Sequence, residues 1–147
     1  MGHGIEELLE MHCWVIDFLP DQVPAGDAGQ VFEVERFLLR EPLRSDLRRR
    51  FAGVLLRLNC YAEIRVCDPE KEEWQRNPPP EQLFSLVVRG EKDLCVLLPE
   101  EDALLTVRRD ELCMAVHHPP EKLLSLLERL AAGEGLYLWR PPQTREE

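Results

Sequence analysis

Cys113, His117 and His118 are the densest set of metal-competent side chains in the chain, and His12 with Cys13 would join them if the opening segment packed nearby. Thiolates and imidazole nitrogens suit zinc-class ions, but structural sites usually present paired cysteines about two to four residues apart. Alternation along an extended segment instead points Cys113 and His117 to one face and His118 to the other. The spacing therefore predicts core thiols and a strand-end histidine, with no metal and no cofactor bound.

His12 stands among Leu8, Leu9 and Ile16, where a buried imidazole serves as a tuned general base or stays neutral on a backbone carbonyl. The second role is expected. Acid pairs occur at Asp17 with Asp21, at Glu33 with Glu35, and at Glu100 with Glu101 and Asp102. With 28 acidic residues such pairs arise by chance. No Ser or Thr sits in a glycine-flanked nucleophile turn. Of the cysteines only Cys67, two residues after Arg65, has a basic neighbour to activate it. An enzyme reading would use a pocket near His12, Asp17 and Asp21 as acid, base or ligand groups, but no complete catalytic set is in view.

A chain of 147 residues with 44% hydrophobic content can bury a core without disulfides or metals. It reads as one domain over residues 1–147, with a frayed tail at 141–147. A net charge of −10 opposes attraction to phosphate backbones and anionic lipid, so neither nucleic acid nor membrane is expected as a partner. The chain's positive region, Arg36 to Arg57, is expected to be a solvated face paired with nearby acids. Five scattered cysteines among apolar neighbours, with no apolar leader or span, point to a soluble cytoplasmic protein with reduced thiols.

The elements that must position these residues follow from periodicity. At about 100° per residue, Ile5 to Leu19 reads as a helix with two apolar stripes. One contains Ile5, Leu8, Leu9, His12, Cys13, Ile16 and Leu19; the other contains Met11, Trp14 and Phe18. Pro20 to Gln30 is a Pro/Gly loop, and Val31 to Arg40 reads as a strand followed by a turn. Leu43 to Asn59 is a helix with one buried face, formed by Leu43, Leu47, Phe51, Val54, Leu55 and Leu58. Tyr61 to Cys67 alternates as a strand, and Asp68 to Gln82 is a solvated connection. Phe84 to Arg89, Leu94 to Leu98, Ala103 to Arg108 and Leu112 to His117 form a four-strand meander. A helix from Pro120 to Ala132 and a strand from Leu136 to Trp139 complete the chain. The predicted class is α+β: a mostly antiparallel sheet, the meander plus flanking strands, with about three helices on one face.

Excess apolar surface on the opening helix, with no catalytic set, predicts a binding or regulatory module rather than an enzyme. Its contact surface would be Met11, Trp14, Phe18, Asp21 and Gln22, facing a protein partner or a second copy in a homodimer.

Overall fold

Val66, Val96, Leu105 and Val116 lie side by side on neighbouring strands, and their common burial defines the inner face of one antiparallel sheet. The computed structural model describes residues 2–24, 29–68 and 73–141, with Asp68 described in its backbone alone. Within them the strands are β1 (Cys13–Asp17), β2 (Arg65–Asp68), β3 (Glu73–Arg76), β4 (Leu94–Leu98), β5 (Ala103–Val107), β6 (Cys113–His117) and β7 (Tyr137–Trp139). Their order across the sheet is β3-β2-β4-β5-β6-β1-β7, and neighbours are antiparallel. The helices are α1 (Ile5–Leu9), α2 (Val31–Leu38), α3 (Leu43–Leu58), α4 (Pro80–Arg89) and α5 (Glu121–Gly133). This is the α+β class the sequence predicts, with five helices where about three are expected and with some strands in other places.

The inner face packs against α3, α4 and α5, which contribute Phe51, Val54, Leu55, Leu58, Leu83, Val87, Leu123 and Leu127 to the core. The outer face carries a row of small side chains, Cys67, Cys95, Thr106, Ala115 and Val15, on successive strands. α1 lies against β5, and Leu8, Leu104 and His117 are buried together outside the main core.

Three predicted elements are different in the structure. The opening helix stops at Leu9, and Cys13–Asp17 is a strand between β6 and β7. Trp14, Ile16 and Phe18 fit a period of two as well as any helical period, and pairing on both edges decides in favour of strand. Val31–Leu38 is helical rather than extended, laid against α3. Phe84 to Arg89 lies inside α4: Pro80 opens the helix, Leu83 and Val87 face the core four residues apart, and Gly90, at φ 58°, ends it. The meander therefore has three strands, β4 to β6, and the expected solvated connection contains β3. Residues 142–147, most of the predicted frayed tail, lie outside the described residues.

The arginine-rich face of α3 also departs from expectation. Arg49 pairs with Asp46 and Arg57 with Glu134, as a solvated face would. Arg48 is buried instead, at 2% exposure. Its Nε donates to the Val87 carbonyl at 2.7 Å and its Nη1 to the Arg108 and Glu111 carbonyls at 3.3 and 3.4 Å. Arg44 donates to the carbonyls of Arg89, Gly90 and Arg109. These two guanidinium groups donate to carbonyls at the end of α4 and in the β5–β6 turn, where the Arg108 carbonyl also accepts from the Glu111 N–H at 3.4 Å.

Candidate functional site

The residues predicted to meet a partner are divided between two roles. Trp14 and Phe18 are half-buried and pack against the core of their own chain. The Arg140 guanidinium stands 5.9 Å from the centre of the Trp14 ring and covers it further. Met11 is half-buried, whereas Asp21 and Gln22 are exposed in the loop after β1. Trp14 and Phe18, two of the three residues of the spare apolar stripe, are therefore partly used within the monomer.

A helix with more apolar surface than the fold covers does exist, but it is α2. None of its residues is buried, and Phe32 and Phe37 are 78% and 56% exposed. Val31, Glu35 and Leu38 are the half-buried positions turned toward the body of the protein. Phe32 and Leu39 then fall on one flank, Val34 and Phe37 on the other, and Glu33 and Arg36 form the outer ridge as an ion pair at 4.0 Å.

Beside the Leu39 end of α2 is a cleft of about 280 Å³ lined by Asp17, Glu35, Leu39, Asp110, Glu111, Leu112 and Cys113. Burial raises the Asp17 carboxyl above its usual range, opposed by the Phe18 N–H, which donates to Oδ1 at 2.8 Å; the Glu35 charge adds to the rise. The Cys113 thiol is pushed up to about 12 by burial and by Glu111, Asp17 and Glu35, so it is a poor nucleophile. Neither His12 nor Asp21 lines this cleft, so the predicted catalytic trio is not assembled. His12 is exposed rather than buried in an apolar stripe, and its carbonyl accepts from the His118 N–H at 3.0 Å.

A second, broader groove of about 930 Å³ runs between the β2–β3 edge and α4, lined by residues that include Trp74, Gln75, Gln82, Leu86 and Arg89. Gln75 and Gln82 bridge it through reciprocal amide hydrogen bonds of 3.2 and 2.6 Å. The other charged residues along it, Glu73, Glu91 and Lys92, are of mixed sign, and such a set favours no one ligand charge.

Of the predicted metal-competent set, Cys113 and His117 share a face of β6 as expected, with Asp17 and Cys13 directly opposite them on β1. His118 leaves that set and meets His3 and Asp102, so that one ligand atom from each of the three lies within 4.8 Å of the others. His3 Nδ1 is 2.5 Å and His118 Nδ1 3.5 Å from Asp102 Oδ2. The His3 backbone N–H donates to Asp102 Oδ1 at 2.7 Å, and this bond is the main cause of a lowered Asp102 carboxyl.

His3 carried no sequence signal, because it meets Asp102 only when α1 folds back over the sheet. Phe32 and Phe37 were visible as apolar residues, but their exposure depends on which side of α2 meets α3. No protein family model, curated protein or solved structure matches the chain.

Proposed function

We propose that this chain is a cytoplasmic protein-binding module that presents α2 and the loop before it to a protein partner with an apolar groove and a basic rim. The observation that carries the reading is a helix without a buried residue whose two phenylalanines are 78% and 56% exposed. Short amphipathic helices bind grooves through such spaced apolar anchors, and aromatic anchors carry most of the affinity. Asp17, Glu35, Asp110 and Glu111 border the Leu39 flank, and the chain's net charge is −10. Basic groups around the partner's groove would complement those acids and speed encounter. A second copy would bring the same acids to the contact, so a partner of different sequence is favoured over a homodimer. Exposed Asp21 and Gln22 extend the surface, and half-buried Met11, Trp14 and Phe18 keep part of their apolar area open on the segment that leads into it. Five free cysteines fit a reducing compartment. No helix among the described residues is long and apolar enough to cross a membrane.

Photo-crosslinking from position 36 on the outer ridge, followed by purification of the captured protein and titration, tests this reading. Replacing Phe32 and Phe37 together by Ser should weaken the complex by on the order of a hundredfold or more, since hot-spot aromatics contribute about 2 kcal/mol or more each. Wild-type affinity in a double variant with an unchanged circular dichroism spectrum refutes it. A concentration-dependent dimer that the double variant abolishes would reassign the same surface to self-association.

A further inference from the structure

We propose that His3, Asp102 and His118 form a binding site for a divalent transition-metal ion of the zinc class. The three residues come from distant parts of the chain: the segment before α1, the β4–β5 turn and the end of β6. Their side chains are 37%, 27% and 44% exposed, so an ion can reach them while water completes its coordination shell. Two imidazoles and a carboxylate are the donor set that zinc-class ions take in sites with an open position.

The distances suit an ion with little rearrangement. With ligand bonds near 2.0–2.1 Å in tetrahedral geometry, neighbouring donor atoms stand about 3.3 Å apart. The imidazole nitrogens of His3 and His118 are 2.5 and 3.5 Å from Asp102 Oδ2, and their ring centroids are 5.0 Å apart at 68°. His118 Nδ1 also stands 2.9 Å from the Asp102 backbone carbonyl, so binding requires that contact to be given up with loss of the Nδ1 proton. Opening the His3 contact by less than an ångström, through side-chain torsions, would then admit the ion between the three groups.

The backbone gives an independent argument. Asp102 and His118 both adopt left-handed φ, at 53° and 58°. That conformation costs a non-glycine residue roughly 1–2 kcal/mol, and such strain gathers where side-chain placement matters. Asp102 lies at a hairpin turn, where Asp tolerates it. His118 precedes Pro119, which narrows its backbone choices further. Two strained residues hold two of the three ligands, and the Asp102 carboxylate also accepts the His3 N–H. Ion binding at this site would fasten the α1 segment to the hairpin and to the end of β6.

Chelator-treated, tag-free protein titrated with Zn²⁺ and Co²⁺ tests the site. The expected result is saturable 1:1 binding and a cobalt spectrum with visible d–d bands but no thiolate charge-transfer band. A zinc-dependent rise in melting temperature of roughly 5–10 °C should appear at about a hundredfold excess over Kd. His3→Gln, Asp102→Asn and His118→Gln should each weaken binding by on the order of tenfold or more, since even groups that only support a ligand matter at that level. Absence of saturable binding overturns the proposal, as does a thiolate–cobalt band, which would move the ion to the cysteines. Undiminished binding in all three variants does the same. If a variant fails to fold, the stoichiometry and cobalt spectrum of the wild-type chain decide the matter alone.

Discussion

Replacing Arg48 by Met keeps the volume of a long side chain and removes the guanidinium that ties α4 to the β5–β6 turn. Three carbonyls lose a donor: Val87 at 2.7 Å, and Arg108 and Glu111 at 3.3 and 3.4 Å. A hydrogen bond to a charged group contributes about 1.5–3 kcal/mol when well formed, and long ones contribute much less. Against that loss stands relief from burying a cation whose Nη2 has no partner among the described residues. Burial, followed by the nearby Arg44 charge, lowers the Arg48 pKa to about 10, so the buried charge carries a real cost. The net expectation is a destabilisation of roughly 2–4 kcal/mol, dominated by the dry Val87 carbonyl. For a chain of this size that corresponds to a fall in Tm of about 4–16 °C. Urea and thermal unfolding followed by circular dichroism measure it, with Arg48→Lys as control, since lysine keeps the charge without the fork. Arg48→Lys should fall between wild type and Arg48→Met. If Arg48→Met is within about 0.5 kcal/mol of wild type, the carbonyls have other donors and the argument fails.

Gly90→Ala attacks the same junction from the other side. A Cβ there would lie 2.5 Å from Arg48 Nε and Arg44 Nη2, on a backbone at φ 58°; a loss of about 2 kcal/mol or more is expected in urea unfolding, and a loss below about 0.5 contradicts the tight packing. Asp17→Asn should stabilise the protein at neutral pH, because burial raises the folded carboxyl above the ordinary aspartate range. The folded state then holds its proton where the unfolded chain has lost it, so wild-type stability falls as pH rises through that window. The variant's advantage should shrink as pH is lowered toward the ordinary Asp range in thermal melts, and an advantage independent of pH would speak against burial as its cause.

The site was less legible than the fold because its pieces come from different levels of structure. Asp102 was visible only as one of three acids in a turn, and His118 was grouped with Cys113 and His117 rather than with the residues it meets. What joins them to His3 is the path of α1 across the outer sheet face, which no local pattern encodes. Arg48 was misplaced for a related reason: helical periodicity puts it outside the apolar arc of α3, but the ends of α4 and the β5–β6 turn close over it.

From residue order alone came the α+β class, the three strands of the meander, and the amphipathic α3 and α5. Each rests on a period sustained over several residues or on turn chemistry at fixed places, and such signals survive without knowledge of neighbours. Tertiary structure alone decided that Cys13–Asp17 is a strand, that Val31–Leu38 and Pro80–Arg89 are helices, and which apolar side chains stay uncovered. Short apolar runs satisfy both periods nearly equally, so the free energy of sheet pairing and helix packing chooses between them. Exposure of Phe32 and Phe37 and the meeting of His3, Asp102 and His118 depend on that choice, since both are properties of how elements dock.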